Sequence, residues 1–183
     1  MLGRKKTVTA LHILDHFTGA DSTALPSHTP DTNTPGNAWA STFGTWILSS
    51  NQAKASALGA GGVAVAAIDA GSANVVVCVA HSASNAGPAG RVLDSANYWM
   101  AYHSGTTLTI YECTSGTFTS RATVAGATAA PGTVTLTMAG DVLTAAVGAK
   151  SCTYTSAVGN TRTKHGLYCE STAQLFDDFE VTP

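Results

Sequence analysis

The chain has 183 residues, only 11% of them charged, and a formal net charge of −2. That length suits one domain with a substantial core, and so little charge excludes the electrostatic footprint of a nucleic-acid binder. A weakly charged surface suits either a stable secreted domain or a subunit of a homo-oligomer or larger particle.

The first residues, Met1-Leu2-Gly3-Arg4-Lys5-Lys6, have the basic character of a signal-peptide start. The stretch from Thr7 to Leu14 is too short for one, holds His12, and runs into Asp15 with no cleavage site. The expectation is therefore a chain made without a signal peptide, in which Arg4, Lys5 and Lys6 serve as a docking arm. Residues 1–11 read as a flexible extension, and residues 12–183 as a single domain. No run is long and apolar enough for a membrane helix, so no membrane insertion is expected.

From there on, apolar residues alternate or run in short blocks bounded by Gly, Ser, Asn or Asp, the pattern of strands. A first strand is predicted at Leu14-Asp15-His16-Phe17. Residues 18–37 contain Pro26, Pro30 and Pro35, which cannot donate ladder hydrogen bonds, so they read as a loop anchored by Leu25 and Trp39. Strands follow at residues 45–48, 52–57, 62–70 and 73–82. Within the last of these, Val75-Val76-Val77-Cys78-Val79 is unbroken and apolar, as for a strand buried on both faces.

Further strands are predicted at 89–93, 97–103, 108–113 and 118–124. A hairpin at 133–138 and 142–147 turns on Ala139-Gly140-Asp141. Strands at 151–155, 166–170 and 174–181 complete the set. About twelve to fourteen short strands at regular spacing argue for a two-sheet antiparallel sandwich. The closing Phe176-Asp177-Asp178-Phe179-Glu180-Val181 resembles the opening strand, so the two termini are expected to pair with apolar side chains inward and acids outward. Strand alternation would put Asp177 and Asp178 on opposite faces.

Cys78, Cys113, Cys152 and Cys169 lie far apart and form no C-x-x-C motif, which excludes a zinc knuckle or thioredoxin-type site. Three disulfide pairings are open to them, as is the state of buried free thiols.

The segment Arg91-Val92-Leu93-Asp94-Ser95-Ala96-Asn97-Tyr98-Trp99 resembles the R-x-x-D-x-x-N-Y-aromatic stretch of concanavalin A-like, laminin-G-like jelly rolls. Leu108-Thr109-Ile110-Tyr111, the hairpin at 133–147, Gly166-Leu167-Tyr168 and the closing Phe176-Asp177-Asp178-Phe179 resemble the strands that follow in that family. The opening Asp15-His16-Phe17-Thr18-Gly19-Ala20-Asp21 with Trp39 is similar to the start of modules in bacteriophage virion proteins and bacterial surface proteins. The resemblance implies a jelly roll. It leaves function open, because that fold hosts lectins, glycanases, adhesion modules and structural domains.

Glycan hydrolysis needs paired carboxylates at a defined separation. The family's glucanase branch carries them as E-x-D-x-x-E on one strand. Here Glu180 and Asp177 fit, but Leu175 stands where the first Glu belongs. Serine or cysteine nucleophile chemistry has no G-x-S-x-G elbow to support it. Sugar binding is better served: Asn97, Trp99, Ala101 and His103 share one face of a strand, with Arg91 and Asp94 just before it, while Tyr98, Met100 and Tyr102 share the other. The competing structural account has an Arg91–Asp94 pair fastening the loop, Asn97 closing a turn and the aromatics packed in a core. A structural calcium ion could draw on Asp15, Asp21, Asp177 and Asp178 if the terminal strands are adjacent; no other cofactor is expected.

The expected function is a non-enzymatic structural or adhesion protein, a bacteriophage virion component on the particle surface, docked to other virion proteins. A lectin-type module that binds cell-surface glycans is the alternative, and a glycoside hydrolase or lyase the third.

Overall fold

The structure, a computed structural model, describes residues 11–183. Arg4, Lys5 and Lys6 of the expected docking arm lie outside that range. Among the described residues the strands are β1 (Ile13–Asp15), β2 (Thr32–Asn33), β3 (Trp39–Phe43), β4 (Thr45–Leu48), β5 (Ala53–Ala57), β6 (Ala64–Asp69), β7 (Val75–His81) and β8 (Ala86–Asp94). They continue with β9 (Asn97–Ser104), β10 (Thr107–Thr114), β11 (Thr117–Ala125), β12 (Gly132–Ala139), β13 (Val142–Val147), β14 (Lys150–Thr155), β15 (Lys164–Cys169) and β16 (Leu175–Thr182). The loop predicted at residues 18–37 holds a 3-10 turn at Leu25–Ser27 and the short β2.

Two antiparallel sheets face each other as a jelly-roll sandwich. One runs β14-β13-β12-β7-β16-β1-β2, with β5 also on β16 and β4 on β5; the other runs β11-β10-β9-β8-β15-β6-β3. The terminal strands pair as expected, Ile13 opposite Val181 and Asp15 opposite Phe179, so β16 lies between β1 and β7.

The acids at that clasp depart from expectation. Asp15 points inward and is fully buried. It accepts hydrogen bonds from the Trp39 indole Nε1 (2.8 Å), the His28 Nε2 (2.8 Å) and the Phe17 backbone N–H (2.7 Å). Three donors make its burial tolerable, because a buried carboxylate is stable only when its lone pairs are filled. Asp177 and Asp178 do not alternate either. A bulge inserts one extra residue against β7, with Asp178 at φ 50°, so Phe176 and Phe179 both face the core and both aspartates stay outside.

The strand predicted to be buried on both faces is half-buried. Val75, Val77 and Val79 face the core while Val76 and Cys78 are partly exposed. The doubly buried strands belong to the seven-stranded sheet: Ala64 to Ile68 are all buried, as is β8 from Ala86 to Val92. Between the sheets, Trp39 packs at a tilt against Phe17 (5.8 Å between rings) and Phe179 (4.8 Å), and Trp46 against Phe176 (5.7 Å). His81 of β7 and His103 of β9 cross the core, Nε2 to Nδ1 at 3.0 Å, and tie one sheet to the other.

The outer face of the seven-stranded sheet forms a second, smaller apolar cluster of Val63, Val65, Ala67, Met100, Tyr98 and Tyr168 among others. Among the described residues no third layer covers it. The sheet instead curls on itself, so that Phe43 from edge strand β3 and Phe118 from edge strand β11 flank one cavity. Small residues permit this curl: a Cβ at Gly166 would lie 1.9 Å from the Ala66 carbonyl oxygen.

Candidate functional site

Strand β9 supplies both faces of its sheet, and this decides the fate of the residues singled out for sugar binding. Trp99 is 1% exposed and lies between the sheets, tilted against Tyr154 (5.8 Å) with its Nε1 donating to the Val158 carbonyl (3.0 Å). His103 is fully buried on the same side. Both belong to the core, so neither offers a ring face to a ligand.

Arg91 is fully buried too, at φ 50° where the β8–β9 register slips. Its Nη2 donates to the Gly140 carbonyl, its Nε and Nη1 have no partner among the described residues, and burial lowers its pKa. It makes no ion pair with Asp94. Asp94 instead accepts from the Ala96 backbone N–H and the Asn97 amide, both at 2.8 Å, while Asn97 accepts from the Ser115 N–H. These two residues close turns, as the structural account expected of Asn97, while the Arg91–Asp94 pair of that account is not formed.

The four aspartates considered for calcium are not brought together. Asp15 is committed inside the sandwich, Asp21 accepts from the Ser50 N–H (2.6 Å), and Asp177 accepts from the Asp178 N–H (2.9 Å). Pairing of the terminal strands is not enough, because the Asp15 carboxylate turns inward. Among the described residues no three His, Cys, Asp or Glu side chains converge to hold a metal ion.

The other face of β9 carries the more suggestive chemistry. Tyr98, Met100 and Tyr102 point into the concave side of the curled sheet, beside Tyr111 and Cys113 of β10 and Tyr168 of β15. Tyr102 and Tyr111, both half-buried, meet edge to face at 5.5 Å and 86°. Glu170 receives the Tyr102 hydroxyl on Oε2 and the Tyr168 hydroxyl on Oε1, each at 2.9 Å. Burial first, and the Glu170 carboxylate next, hold the Tyr102 and Tyr168 phenols above their ordinary range, so both stay protonated donors. The loop after β15 is strapped by Gln174, whose Oε1 accepts from the Glu170 and Ser171 N–H groups (3.0 and 2.9 Å).

Two larger clefts compete on size. One, about 250 Å³, lies within the loop between Pro26 and Ala38; the other, about 290 Å³, is bordered by Gln52, His81, Asp177 and Asp178. Neither has a Phe, Tyr or Trp in its wall. The concave face has a smaller cavity of about 180 Å³ at its mouth but an aromatic floor. An apolar platform with a few placed polar groups is what a small-molecule site needs, which favours this face over volume alone.

Tyr102, Tyr111, Tyr168 and Glu170 were not among the residues chosen from sequence. The alternation of β9 did separate Tyr98, Met100 and Tyr102 from Trp99 and His103. Which set met the opposite sheet was not encoded in that strand alone. Three strands and the residue after the last of them bring the cluster together, so no local motif marks it.

No protein-family model matches the chain, and no curated protein is similar to it in sequence. Solved structures share its fold. It is similar to a carbohydrate-binding module, CBM66, from Bacillus subtilis at 12% identity and a TM-score of 0.59, over 78% of this chain and 94% of that one. A functionally unknown protein from Saccharomyces cerevisiae is similar at 12% identity and 0.51, over 83% of this chain and 99% of that one. At such identities the likeness concerns the jelly-roll fold alone.

Proposed function

We propose that this chain is a non-catalytic glycan-binding module whose binding surface is the concave face of the seven-stranded sheet. The observation that carries this is the half-buried Tyr102–Tyr111 pair beside Glu170. Aromatic rings suit the apolar faces of a sugar, and a carboxylate held by two phenols keeps lone pairs for sugar hydroxyls. The similarity in fold to a carbohydrate-binding module from Bacillus subtilis supports the same reading.

Binding is favoured over hydrolysis by the placement of the acids. Glu112 lies on the opposite side of β10, clamped by Arg121 at 2.6 Å. Glu180 belongs to the other sheet, bonded to His12 (3.0 Å). Asp69 shares the concave face but stands opposite Lys164, six residues along β15 from Glu170. That is about 20 Å along the strand, against the roughly 5–9.5 Å that separates a glycosidase pair.

A glycan array tests the proposal. Wild-type protein is expected to give hits that weaken about tenfold or more in Tyr111→Ala, a loss of the order of one stacked ring. An array without hits, or hits unchanged by Tyr111→Ala and Tyr102→Ala, overturns it.

Three of the nine Lys and Arg residues fall in Arg4, Lys5 and Lys6, and this favours a second reading. In it the module is displayed on a larger particle, such as a bacteriophage virion, attached through that basic segment. Deleting residues 1–6 should then weaken attachment, and normal assembly of the shortened chain rejects this reading.

A further inference from the structure

Of the three glutamates in the chain, two have basic partners: Glu112 is clamped by Arg121 at 2.6 Å, and Glu180 bonds His12 at 3.0 Å. The third, Glu170, carries the negative charge of the tyrosine face, and among the described residues no Lys, Arg or His pairs with it. Lys164 shares its face of β15 but stands six residues away, about 20 Å along the strand. What holds the carboxylate is two phenols, Tyr168 on Oε1 and Tyr102 on Oε2, each at 2.9 Å. Phenols fill lone pairs and leave the charge unmatched. That charge is felt on the face, where it adds to burial in holding both phenols above their ordinary range.

We infer that this corner is a subsite for the protonated amino group of an amino sugar, the ammonium donating to Glu170 beside the Tyr102 and Tyr111 rings. The inference rests on the glycan reading of the same face. Three features select the chemistry. An ammonium brings the missing counter-charge together with N–H donors, and such charge-assisted hydrogen bonds are about twice as strong as neutral ones. The faces of aromatic rings attract cations, so the two tyrosines act in the same sense as the carboxylate. A sugar hydroxyl would bond Glu170 but leave its charge unmatched, and a uronate or sulfate would be repelled by it.

Tyr102 links the parts of the subsite. Its hydroxyl bonds the carboxylate, and its ring meets Tyr111 edge to face at 5.5 Å. Tyr102, Tyr111 and Glu170 each keep part of their surface exposed, whereas Tyr168 behind them is fully buried. A saccharide lying on the Tyr111 ring therefore has the carboxylate one side chain away.

Calorimetric titration of the full chain, in mildly acidic buffer, with β-1,4-linked trisaccharides of glucose, N-acetylglucosamine and glucosamine tests this. Wild type should prefer the glucosamine form over the glucose form by about tenfold, the worth of one charge-assisted contact. The N-acetyl form should bind no better than glucose, because acetylation removes the charge. The preference should shrink as sodium chloride is raised from about 0.01 M to about 1 M. Glu170→Gln, which keeps the side chain's shape and an acceptor for the tyrosines, should bring the glucosamine-to-glucose ratio to about one. If that variant does not fold, the salt series on wild type decides. No preference in wild type, one shared by the N-acetyl form, one indifferent to salt, or one that survives in Glu170→Gln overturns the amine subsite while leaving the binding face intact. If none of the trisaccharides binds, methylammonium chloride serves as the probe, against sodium chloride at the same concentration. It must shift the Tyr102 and Tyr111 ring resonances further than sodium does, and equal shifts overturn the amine subsite independently of the glycan array.

Discussion

Consecutive residues of β9 end in opposite surroundings, and the contrast between its two faces organises the molecule. On one side Trp99 and His103 are sealed between the sheets, bonded to Val158, His81 and Thr128. On the other, Tyr98 and Tyr102 line a hollow that no second sheet covers among the described residues, and the curl of their own sheet shelters them. The first face is closed by contact with another layer, and the Trp99 and His103 ring nitrogens are paired inside the protein. The second is closed only by curvature, and it keeps half-buried rings and a shared carboxylate. Ligand chemistry survives where curvature, not layering, does the burying.

The largest expected effect is on the layered face. Trp99→Ala should cost about 3–5 kcal/mol of folding stability, the usual cost of emptying a large aromatic site, as read by denaturant unfolding. Tyr111→Ala, on a half-buried ring, should cost about 1 kcal/mol while weakening saccharide binding. If Trp99→Ala leaves stability intact and abolishes binding, the two faces have been assigned the wrong way round.

Acid should strike the layered face next. Burial holds the His81 and His165 imidazoles neutral, pushing each down to about 4. His165 accepts from the Arg91 N–H on Nδ1 and donates from Nε2 to the Ser72 carbonyl (2.9 Å). Since the unfolded chain titrates near 6.5, their contribution is complete above about pH 6.5 and is lost as pH falls toward 4. The loss is on the order of 3 kcal/mol for each, and replacing both with Gln should flatten the stability profile in that window. A wild-type profile already flat from pH 7 to 4.5 would contradict this.

The sequence made much of this contrast legible. Strands at 97–103, 108–113, 133–138 and 142–147 are all observed within a residue or two, because each is bounded by a turn whose glycine adopts φ near 57–76° (Gly105, Gly116, Gly140). The pairing of first and last strands also follows from their composition. Other elements escaped for physical reasons. β3 was read only as the anchor Trp39, since Ala-Ser-Thr after it carries little strand signal. Asp15 was expected outward, because its three donors come from residues 2, 13 and 24 positions away. The bulge at Asp178 breaks the period of two on which the placement of both aspartates relied. Arg91, Trp99 and His103 looked like ligand groups because nothing in one strand tells which side will meet a second sheet.

The smallest effect concerns the thiols. All four cysteines are free, with Cys113 and Cys169 buried and Cys78 and Cys152 half-buried. Burial pushes the Cys169 thiol up to about 12, which leaves almost no thiolate to react. Mass spectrometry without reductant should count four thiols. Alkylation of the folded protein should be slow and start at Cys78 or Cys152, with the melting temperature unchanged by reductant. A mass lower by a disulfide's two hydrogens would contradict the free-thiol arrangement on both faces.

The contrast is tested most directly by mapping a bound saccharide with nuclear magnetic resonance. Titration of the strongest array hit should move the signals of Tyr102, Tyr111 and Glu170 while leaving Trp99 and His103 in place. Shifts centred instead on the Gln52–Asp177–Asp178 cleft, or on the Trp99 indole, would contradict a binding face made by the curl of the seven-stranded sheet.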